Sequence, residues 1–404
     1  MVFLYILLAV FVFGALIFIH ELGHFLVARA CRVTVHEFAI GMGPRLVSFC
    51  PGKRRAEKKR RAQEADTAAL ENEFAVDPRP PRPIEGDDAA VTDSEEDKTP
   101  YTVYSIRAFP IGGFVSMEGE NEDSDDPNAL CKKSIWQRML ILVAGPFMNV
   151  LLGFILMFVL VCNSVYTTTA IWYNHEGDKA ETVYMSEGED LLQNKDKILK
   201  IGNTRVHTGY EVSYEIMYQG HEPLDITVER DGKVLVIEDV VFPTAEESGA
   251  VIGMQDFGFY AYSDEIVTVG DRISAAFWRS CSTVKMVWDS LGGLFSGRFG
   301  VESVSGAVGV TEVMVDAAKQ SVISLLYIVT VISINLGVMN LLPFPALDGG
   351  QLMICFVELV IRRPVSEKVK GIINLAGLAV LMLLMLLITV KDVVGLVSRL
   401  FGGS

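Results

Sequence analysis

Four stretches of this chain are long and apolar enough to cross a lipid bilayer, and they constrain its fold more than any other feature. They run from Val2 to Ile19, Met139 to Val161, Gln320 to Leu347 and Gly371 to Val390. About 20 apolar residues rising 1.5 Å each span the ~30 Å hydrocarbon core. Within that core every backbone N–H and C=O must find its partner inside the segment, so each stretch is predicted to be a helix. Half of the 404 residues are hydrophobic and the net charge is −15, the balance of a membrane protein with a sizeable soluble part. Ala28-Arg29-Ala30 imitates a secretory cleavage site, but no basic segment precedes the first run, and the run is too long; it is read as a span.

Lys and Arg crowd the connection between the first two spans, including the run KRRAEKKRR at 53–61, and Arg362, Arg363, Lys368 and Lys370 lie between the last two. Basic residues favour the cytoplasmic side, so both connections are expected there, with the termini and the middle region outside. That middle region, Ile171 to Gly270, carries 20 acidic residues against 7 basic, which argues against nucleic-acid binding. The six cysteines, at 31, 50, 131, 162, 281 and 355, form neither a CxxC pair nor a regular spacing, so neither a disulfide scaffold nor a cysteine metal site is expected.

The fold class expected is a polytopic α-helical membrane protein of about four transmembrane helices, with β-hairpin elements at the membrane and one outer α/β domain. Residues 1–30 hold the first span, and 31–135 hold β elements at the cytoplasmic membrane edge. Within the latter, 53–98 is a charged, Ala- and Pro-rich insertion too poor in apolar residues to bury a core. VHEFAIGMGPRLVSF and YTVYSIRAFPIGGFVSM are strand-like, bent or bulged at their glycines, and are expected to pair. The second span occupies 136–165 and the outer domain 171–270. In the latter KILKIGNTRV reads as a strand and turn, GYEVSYEIMYQ as a helix, and LDITVERDGKVLVIEDVVF as a hairpin turning at Asp231-Gly232. Interfacial or linker helices follow at 271–319, the third span at 320–348, a cytoplasmic connection at 349–370, the fourth span at 371–390 and a tail at 391–404.

His20, Glu21 and His24, in IFIHELGHFLVARA, close a run without charge. Ionisable groups at membrane depth are costly and mark function. Residues four apart share a helix face about 6 Å apart along the axis, so two imidazoles can chelate one ion. Neutral imidazole suits zinc, whose catalytic sites take three protein ligands and a water, and Glu21 beside the first ligand is placed to accept that water's proton. Asp348 is the candidate third ligand. It ends the third uncharged run, behind Pro343 and Pro345 and ahead of Gly349-Gly350; prolines break the helix, and non-helical backbone at membrane depth is tolerated only where it lines a cavity or is buried in protein.

At these residues the chain resembles the site-2 protease family of intramembrane zinc metalloproteases, in its bacterial regulator-of-sigma-E protease branch. The family pairs HExxH with N-x-x-P-x-P-x-L-D-G, here Asn340, Pro343, Pro345, Leu347, Asp348 and Gly349. It also carries a G-x-G (Gly41-Met42-Gly43), a P-x-G-G-[FY]-V strand (Pro110 to Val115) and an AGPxxN (Ala144 to Asn149). The resemblance implies zinc on His20, His24 and Asp348, Glu21 as general base, and Asn340, Pro343, Gly41, Gly43, Gly112 and Gly113 engaging substrate. It implies a single PDZ-like outer domain, a place in the bacterial inner membrane with the active site near the cytoplasmic side, and substrates among single-span membrane proteins such as anti-sigma factors and remnant signal peptides. An upstream site-1-type protease would cut those substrates first. Two stretches depart from the family: SVSGAVGV at 303–310 stands where the branch has a G-P-x-G-I sequence, and the 53–98 insertion is atypical.

Three other functions fit parts of the sequence. A membrane-anchored zinc protease could act on soluble loops, without a substrate span. A catalytically inactive chaperone could bind membrane helices, though the intact His20, Glu21, His24 and Asp348 argue against it. A transporter could use an intramembrane ion site, but four spans without an internal repeat make a poor one.

Overall fold

The computed structural model describes residues 2–51, 102–120, 124–173, 192–193, 195–242, 257–261, 267–298, 304 and 306–401; the insertion expected at 53–98 lies outside them. The helices are α1 (Val2–Ala30), α2 (Ile135–Cys162), α3 (Gly209–Gln219), α4 (Val269–Phe295), α5 (Ala307–Gln320), α6 (Val322–Asn340), α7 (Asp348–Ile361) and α8 (Glu367–Phe401). Within α1, α2, α6 and α8 lie four segments long and apolar enough to cross a membrane: Leu7–Ala30, Ile135–Cys162, Val322–Asn340 and Lys368–Gly395. The chain is a polytopic membrane protein. It divides into two compact units, Met1–Met148 with Asn340–Leu386, and Asn149–Met339 with Leu387–Ser404.

In the first unit, α1 runs unbroken through HELGHFLVARA and packs on a pair of long antiparallel strands, β1 (Val35–Phe49) and β2 (Val103–Met117). Both strands bend, and the middle of β1 is paired on two sides: Phe38 with Val115 and Tyr104, Ala39 with Phe114 and Ser105, and Ile40 with Gly113 and Ile106. The bend in β1 is set by Gly41 and Gly43, both at φ +86°, a conformation that side-chain-bearing residues rarely adopt. Phe25 and Ala28 on one face of α1 bury against Val35, Phe38 and Val115 of the strands and Ile141 of α2, with the Phe25 and Phe38 rings 4.9 Å apart. A buried apolar side chain of this size is worth about 1.5–3 kcal/mol, so this cluster fixes the rotation of α1 and the direction its histidines face. The far end of the strand pair keeps Met42, Leu46, Val47 and Phe109 exposed, an apolar surface suited to lipid or an unwound apolar peptide.

The expected third span and cytoplasmic connection take a different form. Helix α6 stops at Asn340, residues 341–347 are irregular, and Asp348 opens α7 where a connection was expected over 349–370. Pro343 and Pro345 cannot continue a helix, whereas QLMICFVELVI has the apolar periodicity to begin another. Gly349 and Gly350 let α7 start against the carbonyls of Leu342 and Phe344, which a Cβ would meet at 2.1 and 2.2 Å. Buried Glu358 of α7 is held by Arg138 at 2.8 Å and Lys370 at 2.9 Å.

The second unit is built on a six-stranded antiparallel sheet in the order β7-β6-β4-β3-β8, with β5 beside β4. The strands are β3 (Thr167–Tyr173), β4 (Lys197–Ile201), β5 (Thr204–Arg205), β6 (Leu224–Arg230), β7 (Lys233–Val240) and β8 (Phe257–Ala261). Asp231 and Gly232 both have positive φ, as a two-residue hairpin turn matching strand twist requires. Ile198, Ile201, Ile226, Val228 and Ile237 face Val212 and Ile216 of α3 in a closed core. Thr208 and Glu211 cap α3 reciprocally, and Arg230 grips buried Asp196 through two 2.7 Å hydrogen bonds. Helix α4 lies along α3: Lys285 meets Glu215 at 2.6 Å, Tyr214 donates to Asp289 at 2.8 Å, and Trp278 stacks on His207 at 3.5 Å. At the start of α5, within SVSGAVGV, the Asp392 carboxylate accepts from the Gly306 and Gly309 amides at 2.9 and 3.1 Å, the favoured place for an anion on a helix.

Candidate active site

The helix α1 and the Asp348 end of α7 bring three predicted residues to one point. His20 Nε2 lies 3.0 Å and His24 Nε2 3.3 Å from Asp348 Oδ2, and the two imidazole nitrogens are 3.2 Å apart. Two are buried histidines and the third a half-buried carboxylate. The Nδ1 of His24 donates to the Ile141 carbonyl at 2.8 Å, so its Nε2 presents a lone pair to the cluster. Asp348 Oδ2 is itself buried and makes no hydrogen bond of good geometry. Lone pairs converging in a buried place repel unless a cation sits among them.

The triangle fits zinc. Ligands at the usual ~2.0–2.1 Å around a tetrahedral ion stand about 3.3 Å from one another, close to the three distances observed. Imidazole and carboxylate are the ligand types of catalytic zinc, and three of them leave one position open. Among the described residues this is the group of His, Cys, Asp and Glu side chains gathered tightly enough to hold a metal.

The surroundings are tightly packed. A Cβ on Gly145 would lie 2.2 Å from His24 Nε2, and one on Gly23 would lie 2.3 Å from the Ala144 carbonyl, so α1 and α2 touch backbone to backbone beside the cluster. This is the physical content of the AGPxxN motif at Ala144 to Asn149. Glu21 lies within electrostatic reach of His24, His20 and Asp348, and its Cγ is the nearest side-chain atom, at 3.5 Å, to a Cβ placed on Gly113. The Gly112-Gly113 pair therefore adjoins Glu21, with Gly112 at φ +88° under Met42. Gly41 and Gly43 sit at the bend of β1, against Phe109. Asn340 closes α6, and Pro343 stands exposed in the irregular segment before Asp348.

One group beside the cluster was missed at the level of sequence. Glu120, just past β2, is within electrostatic range of His24 and Asp348, and burial pushes its carboxyl up. It accepts from the Met117 amide at 3.3 Å. In the acid-rich run from Glu118 to Asp126 nothing in the spacing sets it apart.

The chain matches peptidase family M50 over residues 8–57 and 95–384, which takes in both clustered segments. It belongs to that family. A Clostridium acetobutylicum protein named as a zinc metalloprotease is 31% identical over 397 residues, covering 98% of each chain. One from Fusobacterium nucleatum, named likewise, is 31% identical over 390 residues, covering 96% of this chain and 98% of its own. The regulator of sigma-W protease of Bacillus subtilis is 27% identical over 476 residues, covering 97% and 98%. Peptidase family M50 is the site-2 protease family, so this membrane protein is a zinc metalloprotease, and its metal is Zn2+. Its likeness to the family runs along nearly the whole chain.

Proposed function

We propose that His20, His24 and Asp348 hold the zinc of an intramembrane endopeptidase, that Glu21 is its general base, and that the substrates are single-span membrane proteins. The observation that carries this reading is the triangle of two buried imidazole nitrogens, on a helix apolar enough to cross a membrane, and one carboxylate oxygen from the start of α7, at 3.0, 3.2 and 3.3 Å. Zinc bound there would polarise the scissile carbonyl and acidify the attacking water. Glu21 takes the proton from that water and delivers it to the leaving amine nitrogen. His24 keeps its lone pair on the cluster through the Ile141 hydrogen bond.

A helical substrate hides its peptide groups in i to i+4 hydrogen bonds, so attack at a carbonyl needs an extended segment. Residues 113–117 of β2 pair with β1 along one side only, among the described residues, and their glycine end adjoins Glu21. A substrate strand added along the other side would lie beside the base. The break between Asn340 and Asp348 gives a second irregular stretch to receive it, with Asn340 and Pro343 as contacts.

The basic connections support a bacterial inner-membrane protein with its active site near the cytoplasmic side and residues 171–270 as a single PDZ-like outer domain. Anti-sigma factors and remnant signal peptides are the substrate classes of this reading, the former after a first cut by a site-1-type protease. The regulator of sigma-W protease among the relatives supports that assignment. The outer domain would then act as a size filter against untrimmed substrates.

The test is purified full chain, assayed for bound zinc and for cutting of one transmembrane span carrying a long or a short outer tail. Cutting within the short-tailed span, with the long-tailed one spared, is expected. Cleavage confined to soluble loops would leave a membrane-anchored protease and remove the intramembrane one.

A further inference from the structure

In the second unit a cavity of about 530 Å³ opens where the last turn of α2 and the first turns of α6 meet helices α4 and α5. The size is that of ordinary small-molecule sites, ~300–1,000 Å³. Leu160, Val313, Ile323 and Ile328 give it apolar walls, and Val313 and Ile323 are also exposed at its rim. Among the described residues, the cation that lines it is Arg279 of α4.

That guanidinium lacks the partner its position calls for. Its Nε is buried without a hydrogen bond, and among the described residues no carboxylate forms an ion pair with it. Its nearest electrostatic neighbours are aromatic: it lies 4.9 Å over the Tyr210 ring, and the Tyr210 hydroxyl is bound to that of Tyr327, another lining residue, at 2.8 Å. Burial lowers the pKa of Arg279, the direction expected for a desolvated cation without an anion beside it. The cavity's own carboxylate, Asp316, is taken by Lys319 at 2.9 Å.

A half-buried charge with no anion beside it is costly, and an arginine fork suits a phosphate group. The walls are the ends of two membrane-spanning segments, where a lipid's headgroup meets its chains. We infer that this cavity is a binding site for an anionic phospholipid, with the headgroup phosphate on Arg279 and an acyl chain along Leu160, Ile323 and Ile328. The same phosphate chemistry is offered by free inorganic phosphate, but only a lipid also fills the apolar walls.

Native mass spectrometry of the full chain in mild detergent tests this, with phosphatidylglycerol, phosphatidylcholine, inorganic phosphate or an apolar peptide with a free C-terminal carboxylate added singly. Phosphatidylglycerol should be retained about tenfold better than phosphatidylcholine, and inorganic phosphate should not compete at millimolar concentration. Arg279→Gln should lose that preference, Arg279→Lys should keep part of it, and Val313→Trp should block retention while leaving the charge in place. Unchanged zinc content and thermal unfolding show that the variants fold. Equal retention of both lipids, or unchanged phosphatidylglycerol retention in both Arg279→Gln and Val313→Trp, overturns the inference. Arg279-dependent capture of inorganic phosphate alone, or of the peptide in place of lipid, overturns it as well.

Discussion

Replacing Gly145 by alanine adds one methyl group to helix α2 just before Pro146. Ala is the better helix former by about 1 kcal/mol, but Pro146 follows and a Cβ before proline disfavours the helical backbone, so the two local effects oppose each other. The new Cβ, however, falls 2.2 Å from His24 Nε2, and the adjoining backbones are already in contact through Gly23 and the Ala144 carbonyl. Ordinary contact is about 3.5 Å, so the imidazole must retreat by more than 1 Å. Metal ligation tolerates roughly 0.2 Å, and disturbing even a residue that only orients a ligand costs about 10- to 100-fold in affinity or activity. Gly145→Ala is therefore expected to weaken zinc binding at least tenfold and cleavage about 100-fold, while the helical content is retained. The assay is zinc competition against a chelator, with cleavage of a test span alongside. Gly292→Ala, in α4 with nothing within 4 Å of its Cβ, serves as the control and should leave both unchanged. If Gly145→Ala binds zinc within twofold of the parent, His24 is not a ligand in the arrangement described.

Glu21→Gln should keep zinc and abolish cleavage; normal turnover would remove Glu21 as the base. Asp348→Ala should lose metal and activity together, and full zinc occupancy would place the third ligand elsewhere. Gly41→Ala strains a φ of +86° and sets a Cβ 2.4 Å from the Phe109 carbonyl, so the strand pair should distort, with cleavage falling severalfold while zinc stays bound. Arg230→Met leaves the Asp196 carboxylate buried and unpaired, at a cost of about 3–5 kcal/mol. The midpoint of chemical unfolding followed on the second unit should drop accordingly, with zinc content of the first unit unchanged.

The spans, the helix α3 and the turn at Asp231-Gly232 were legible because each rests on a local rule: apolar length, helical periodicity, or two residues that accept positive φ. The HExxH cluster was legible for the same reason, since a four-residue spacing on a helix is itself a distance. What stayed hidden depends on parts of the chain far apart in sequence. The strand β3 joins β8 across some 80 residues, and no short window of TTTAIWY or FGFYA announces that pairing. The restart of the chain as α7 at Asp348 depends on Gly349 and Gly350 nesting against Leu342 and Phe344, a fit that prolines suggest but do not determine. Glu120 is set apart from its acidic neighbours by burial alone, and Arg279 by the absence of a carboxylate beside it among the described residues, neither of which leaves a trace in residue order.

The hydrogen bond from His24 to the Ile141 carbonyl ties a proposed ligand on the first span to the second, and the carboxylate that completes the triangle comes about 320 residues after it. Chains are synthesised at ~5–20 residues per second, so about 16–65 s separate the emergence of His24 from that of Asp348. Throughout that interval the growing chain holds the two imidazoles and Glu21 but not the carboxylate that the proposed centre needs. On the proposed assignment, a peptidase whose working parts enter the bilayer in this order would have no complete centre with which to cut its own first two spans while they insert.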